Sequence, residues 1–128
     1  MTQINIQKVI KPFIGVHLLE DPNGYIVWRR GTGNNVELLH LKTFSSGKGT
    51  GRELVKAMLN KLKENPPYAT VFGFTRSVNM EAQKFYRSMG FDLSPVEGIY
   101  ADGSAVLFSQ TFKKLLELNN VNSIDQSP

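Results

Sequence analysis

The sequence of 128 residues contains no cysteine and only two histidines, His17 and His40. The absence of thiols excludes disulfide bonds, thiolate zinc sites, iron–sulfur clusters and cysteine nucleophiles. Two histidines are also too few for a histidine-rich zinc site, since catalytic zinc takes about three protein ligands. We therefore expect an activity that uses no metal and no covalent intermediate on a cysteine.

Long apolar runs are also missing. The N-terminal segment lacks the apolar core behind a basic flank that marks a signal peptide, and no run approaches the ~20 residues that span a bilayer. We therefore expect a cytoplasmic protein with no membrane partner. The length matches one domain, which we assign to residues 1–118, and we expect the polar residues 119–128 to form a disordered tail.

Charge of one sign is in mild excess, with fifteen Lys and Arg residues against eleven Asp and Glu residues and a net charge of +4. Such a balance suits phosphate-bearing ligands or acidic partners. A nucleic-acid partner is disfavoured because it would rest on this charge alone. Salt-dependent affinity for RNA or DNA would reveal one.

Apolar periodicity predicts strands joined by tight turns, then two amphipathic helices that flank a near-continuous apolar strand, then a hairpin and a short helix. The predicted strands are 13–19, 25–28, 36–44, 69–75, 91–96 and 105–108. The first predicted helix begins near residue 52, with an apolar stripe at Leu54, Val55, Met58, Leu59 and Leu62. The second has Asn79 as its N-cap and ends at Gly90, a C′ glycine, and the third spans 112–118. The first three strands form an antiparallel meander. The order predicts an α/β (α+β) fold with a mixed, mostly antiparallel sheet and helices packed on it.

A glycine-rich segment, Ser45 to Arg52, joins a strand to a helix and carries three glycines in five positions. Glycine lets a ligand approach the backbone, and amides at a helix N-terminus bind anions. Lys42, Lys48 and Lys56 add positive charge around it. The spacing fits neither the Walker A motif nor the Rossmann glycine pattern. We predict a phosphate-binding loop, and the alternative is a flexible surface turn.

Two stretches resemble the signatures of the GNAT superfamily of N-acyltransferases. Residues 46–55 are similar to the acetyl-CoA loop of that family, although Ser46 stands where the family usually has Arg or Gln. Residues 79–91 resemble its second signature, which matches at Asn79, Ala82, Tyr86, Gly90 and Phe91. Two signatures in the same order as in the family are stronger evidence for the resemblance than either one alone.

The resemblance implies that the central strands, 36–44 and 69–75, splay apart around the pantetheine arm of acetyl-CoA, the cosubstrate. The family's pattern places backbone contacts to that arm and to the pyrophosphate, together with one side-chain contact, at Leu41, Lys42, Thr43, Gly47, Lys48, Gly49, Thr50, Gly51, Arg52 and Asn79. It implies that Tyr86 protonates the leaving thiolate, and the alternative is a tyrosine of the core. Family members are often dimers, so a homodimer is compatible with the resemblance.

Acetyl transfer to an amine needs a general base, because a lysine-like amine has a pKa near ~10.4. The family often places a strand carboxylate where this sequence has Glu37, which is our first candidate. Its alternative role is a surface ion pair with a nearby Lys or Arg. His40 is the second candidate, and it lies on the opposite strand face unless a bulge intervenes. A strand amide near Thr43 would polarise the thioester carbonyl.

We therefore predict an N-acetyltransferase that moves the acetyl group of acetyl-CoA directly to a primary amine of a small molecule or peptide. The alternative is a non-catalytic CoA-binding or regulatory module on the same fold. That module would be insensitive to Tyr86→Phe and Glu37→Gln. Strand patterns begin near Phe13, so we also expect the helices that commonly form the family's acceptor site to be reduced or absent.

Overall fold

The computed structural model describes residues 15–44, 49–64 and 68–121, and these ranges form six strands and three helices. The elements are β1 Val16–Asp21, β2 Gly24–Arg30, β3 Asn35–Thr43, α1 Thr50–Leu62, β4 Thr70–Arg76, α2 Met80–Ser88, β5 Asp92–Tyr100, β6 Gly103–Thr111 and α3 Phe112–Leu118. The predicted α/β (α+β) class is confirmed. The expectation that the acceptor-site helices are reduced or absent concerns residues 1–14, which lie outside the described ranges.

The strands form one sheet in the order β1-β2-β3-β4-β6-β5. Strands β1, β2 and β3 are successive antiparallel neighbours, so the predicted meander is confirmed. Only β3 and β4 are parallel, and α1 makes the crossover between them. None of the helices in the described ranges is long and apolar enough to cross a membrane.

The central strands β3 and β4 pair over only part of their length. The register runs from Asn35 opposite Thr70 to Leu38 opposite Gly73 and then stops. The remaining residues of β3 keep their pairing with β2, and those of β4 keep theirs with β6. The two strands therefore diverge after Leu38 and Gly73, and we call this point the apex of the gap.

The hydrophobic core lies between one face of the sheet and the three helices. The apolar stripe predicted for α1 is buried, with Leu54, Val55, Met58, Leu59 and Leu62 all at most 4% exposed. Trp28 of β2, at 3% exposed, joins the same core. We call this side of the sheet the helix face and the other side the open-strand face.

The C-terminal boundary differs from the prediction of a tail that starts at residue 119. Asn119 is 4% exposed, and its side-chain amide donates to the carbonyls of Met89 and Leu115, both at 2.9 Å. Val121 packs in the core at 6% exposed. The packed domain therefore extends to at least Val121. Composition alone did not reveal that these residues cover the end of α2.

Candidate active site

The glycine-rich segment leads into α1 through a left-handed residue. Gly49 is the N-cap with φ of 72°, a conformation that favours glycine, and its carbonyl accepts the first helical hydrogen bond from the amide of Glu53 at 3.0 Å. The amides of Thr50, Gly51 and Arg52 precede that bond and have no helical acceptor. This helix end can therefore hold an anion.

Four of the predicted loop residues, 45–48, lie outside the described ranges, and these include Gly47 and Lys48. The two remaining glycines have different roles. A β-carbon at Gly49 would meet no atom within 4 Å, whereas one at Gly51 would lie 3.2 Å from the Phe85 ring of α2. Gly51 therefore lets α1 and α2 approach closely. The Arg52 guanidinium reaches the Ser88 hydroxyl on α2 at 3.5 Å.

The edge of β3 that faces the gap has free backbone groups. The Phe44 amide donates to the Asn23 carbonyl at 2.8 Å, which directs the backbone groups of Phe44 towards the β2 side. Because the direction alternates along an antiparallel ladder, Lys42 also faces β2, while Leu41 and Thr43 face the gap. An extended ligand in the gap could therefore pair with Leu41 and Thr43.

Tyr86 is positioned at the apex of the gap by a stack of rings. Its ring lies parallel to that of Phe108, with centroids 3.7 Å apart and an interplanar angle of 9°. The Phe108 ring in turn lies against Gly73, where a β-carbon would be 2.8 Å from a ring carbon. Phe91 packs edge-on against both rings.

The Tyr86 side chain is 7% exposed, and its hydroxyl has no hydrogen-bond partner within the described residues. Burial in this apolar stack raises the pKa of Tyr86, with a smaller contribution from Tyr100. The phenol therefore keeps its proton at neutral pH and has that proton to donate. Both predicted roles are compatible with this geometry, because the ring packs in the core while the residue stands beside the gap.

Glu37 lies on β3 directly before the apex residue Leu38, on the open-strand face. One carboxylate oxygen, Oε1, accepts from Arg29 Nε at 3.1 Å and from Arg29 Nη2 at 2.9 Å. The predicted ion pair with an arginine is therefore present. The other oxygen, Oε2, has no hydrogen-bond donor in the described part of the chain, so the carboxylate could still accept a proton from a ligand.

A β-bulge changes the position of His40. Leu38 pairs with Trp28 and His40 pairs with Val27, so Leu39 is the extra residue on β3. The bulge places His40 on the same face as Glu37, since Val27 and Arg29 share one face of β2. The expectation of opposite faces for a regular strand therefore does not apply. Both candidate bases lie on the open-strand face, and Tyr86 lies on the helix face.

The chain matches the model of the acetyltransferase (GNAT) domain family over residues 13–107. It belongs to that family. No curated protein matches the sequence. The family assignment confirms the resemblance carried by the two signatures, and it agrees with the prediction of an acyltransferase.

Solved structures share this GNAT fold. The chain is 24% identical to Ard1 from Thermoplasma volcanium, with a TM-score of 0.62, covering 70% of this chain and 62% of that one. It is 17% identical to the ribosomal-protein-S18-alanine N-acetyltransferase from Escherichia coli, with a TM-score of 0.66, covering 83% of this chain and 76% of that one. A third structure is Arabidopsis thaliana Naa50 in complex with the bisubstrate analogue CoA-Ac-MVNAL, at 19% identity and a TM-score of 0.58. The match covers 69% of this chain and 64% of Naa50.

The second GNAT signature has structural roles that the structure shows directly. Asn79 is the N-cap of α2, as predicted, and its Oδ1 accepts from the Ala82 amide at 3.0 Å. Gly90 follows the C-cap with φ of 104°, the left-handed conformation predicted for it. The Asn79 oxygen is therefore used within the helix, which leaves its side-chain NH2 group for a ligand.

Gly73 and Phe108 were not among the predicted site residues of this GNAT domain. Both lie in strands, where apolar periodicity marks them only as core. A glycine inside an apolar strand indicates a close approach of another group, and this signal could have identified Gly73. The partner that approaches, Phe108, is distant in sequence and could not be identified in this way.

Within the described residues, no group of three or more His, Asp or Glu side chains is arranged to hold a metal ion.

Proposed function

We propose that this protein is an N-acetyltransferase that moves the acetyl group of acetyl-CoA directly to a primary amine. The observation that carries the proposal is the divergence of β3 and β4 after Leu38 and Gly73, in a chain of the GNAT family. The gap has a free backbone edge on one side and Tyr86 at its apex. An extended thioester arm fits that combination.

In the proposed complex, the arm of acetyl-CoA pairs with the backbone of Leu41 and Thr43 like an added strand. The pyrophosphate lies on the unpaired amides of Thr50, Gly51 and Arg52 at the start of α1, where the helix dipole favours negative charge. Asn79 contributes its side-chain NH2 group from the start of α2. The bisubstrate analogue bound in the Naa50 structure, which contains CoA, supports this assignment.

The proposed reaction uses side chains from both faces of the sheet. The amine nitrogen attacks the thioester carbonyl carbon, the C–N bond forms, and the C–S bond breaks. Tyr86, from the helix face, gives its proton to the leaving thiolate. Glu37, from the open-strand face, takes the proton that the amine loses, and His40 is the alternative base on that face. Because nothing is transferred to the protein except protons, no cysteine is needed.

The acceptor is a primary amine, and peptide N-termini are the first class to test. Two structural relatives support this choice, since one is a ribosomal-protein-S18-alanine N-acetyltransferase and the other was solved with a peptide-containing bisubstrate analogue. Small-molecule amines form the second class. The chain spans 62% of the Thermoplasma protein and 64% of Naa50.

A second candidate function is a CoA-binding module without turnover. Two observations favour it: the Glu37 carboxylate is paired with Arg29, and the Tyr86 side chain is only 7% exposed. Such a module would still bind the cosubstrate in the gap.

The test combines a calorimetric titration with acetyl-CoA and a thiol-release assay over peptide and small-molecule amines. We expect binding together with amine-dependent thiol release. Tyr86→Phe should lower kcat by about 100-fold or more and leave acetyl-CoA affinity nearly unchanged. Tyr68→Phe, a matched change far from the gap, should alter neither quantity.

The same assay tests Glu37→Gln, with Glu117→Gln on α3 as the matched control. We expect kcat to fall for Glu37→Gln alone, by a factor of the same order as for Tyr86→Phe. Binding without release in the native protein would favour the non-catalytic module. Absence of binding would overturn both candidate functions.

A further inference from the structure

Buried polar side chains on the helix face cluster beside the gap, and several lack hydrogen-bond partners. The side chains of Thr75, Gln83 and Tyr86 are 9%, 9% and 7% exposed. Within the described residues, neither the Thr75 hydroxyl nor the Tyr86 hydroxyl has a partner, and Gln83 uses only its nitrogen. Asn119, which is 4% exposed and far from the gap, likewise uses only its side-chain nitrogen, so the unmet groups that count for the gap are the two hydroxyls.

Thr75 lies on β4 between the residues that Gln83 contacts and the residue against which the Tyr86–Phe108 stack lies. Thr75 is two residues beyond the apex residue Gly73, so the two residues share the helix face. On one side of it, Gln83 Nε2 donates to the carbonyls of Ser77 at 2.8 Å and Arg76 at 3.4 Å. On the other side, Tyr86 is stacked over Phe108 and Gly73. Thr75 therefore lies under α2, where β4 no longer pairs with β3.

The position of these groups explains why their hydrogen-bonding capacity is unmet. Buried polar groups in folded proteins are nearly always paired, and an unpaired one calls for a ligand or another compensation. At Thr75, β3 no longer lies alongside β4, so the space beside this residue is open to a ligand. A ligand in the gap would restore that partner.

We propose that the Thr75 hydroxyl and the Gln83 side-chain oxygen are further binding residues for the amide-bearing arm of acetyl-CoA. This inference rests on the proposed function and deepens it. A secondary amide offers one N–H and one C=O. Gln83 Oε1 accepts the N–H, and the Thr75 hydroxyl donates to the C=O. The two side chains then hold the arm just behind the thioester, while Tyr86 stands at the sulfur.

The decisive variant is Thr75→Val, which removes the hydroxyl and keeps the shape of the side chain. We expect the Kd for CoA, measured by calorimetric titration, to rise about 5- to 10-fold, the usual effect of one lost hydrogen bond. The melting temperature of the free protein should stay the same or rise, because the hydroxyl has no partner there. Thr75→Ser, which keeps the hydroxyl, should bind CoA within about twofold of the native protein.

The matched control is Thr70→Val on the same strand. Thr70 lies before the apex, where β3 and β4 are still paired. We expect its Kd for CoA to be unchanged.

The outcomes separate this inference from the proposed function. If native protein and Thr75→Val bind CoA equally well, the inference is wrong and the proposed function stands. A fall in melting temperature with unchanged affinity would show a purely structural role for the hydroxyl and would also overturn the inference. If the native protein does not bind CoA, the proposed function fails and the inference fails with it.

Discussion

The two halves of the β3–β4 pair follow different rules. Before the apex, Val36 and Val71 lie opposite each other, fully enclosed in the core, and the strands satisfy each other's backbone groups. Beyond the apex the strands separate, and buried or half-buried polar groups face the gap without partners. A fold built for stability alone would close that gap. The difference supports the proposal that the second half of the pair binds a ligand.

Helix α2 repeats this contrast. At its C-terminal end, Asn119 and Gln110 donate to the carbonyls of Met89, Leu115 and Gly90. On the side of α2 that lies beside the gap, the Tyr86 hydroxyl has no partner within the described residues. Mutations at the satisfied end should therefore affect stability, and mutations at the gap should affect binding or turnover.

The largest loss of stability should come from a substitution at the apex itself. A β-carbon at Gly73 would lie 2.7 Å from the Leu38 carbonyl oxygen and would also collide with Phe108. We expect Gly73→Ala to lower the free energy of unfolding by about 3 kcal/mol, measured by denaturant titration. Gly31→Ala, whose β-carbon would lie 3.6 Å from its nearest neighbour, is the matched control. Equal stability of the two variants would contradict the close packing at the apex.

The satisfied end of α2 should give the next largest effect. Asn119→Ala removes two buried hydrogen bonds to backbone carbonyls, and we expect it to cost about 2 kcal/mol of unfolding free energy. The affinity for CoA should not change, because Asn119 is far from the gap. A loss of CoA affinity without a loss of stability would contradict the proposed division between residues that affect stability and residues that affect binding.

The raised pKa of Tyr86 predicts that the free energy of unfolding falls at alkaline pH. Its pKa is raised in the folded protein, so above pH ~10 the unfolded chain releases the proton while the folded protein keeps it. The stabilising contribution is complete below the unfolded pKa and falls as pH rises, by about 1.4 kcal/mol per pH unit. Native protein should therefore lose stability more steeply than Tyr86→Phe above pH 10. Parallel curves would show that the phenol is hydrated.

The smallest effect should come from the ion pair on the open-strand face. The Arg29 side chain is 53% exposed, so its pair with Glu37 is screened by water. We expect Arg29→Gln to cost less than about 1 kcal/mol of unfolding free energy, similar to Arg87→Gln on the surface of α2. A larger cost would mean that the pair is part of the structural framework, which would weaken the case for Glu37 as a base.

Much of the fold was predictable because its signals are local. Helix periodicity indicated the buried stripe of α1, and cap chemistry indicated Asn79 and Gly90 at the ends of α2. Helix α3 begins and ends at the predicted residues, Phe112 and Leu118. The bulge at Leu39 was not predictable, because it depends on how β3 pairs with β2. That single extra residue decides whether His40 shares a face with Glu37.

The sequence by itself determined the class of the fold, the order of its elements and the residue types that a phosphate and a thioester need. These properties follow from periodicity, caps and two motifs, all of which act over short distances along the chain. Only the tertiary structure decided where β3 and β4 part, that Tyr86 stacks on Phe108 at that point, and that the Thr75 hydroxyl is buried there without a partner among the described residues. Each of these depends on contacts between distant segments, and burial without a partner is visible only after those segments have packed together.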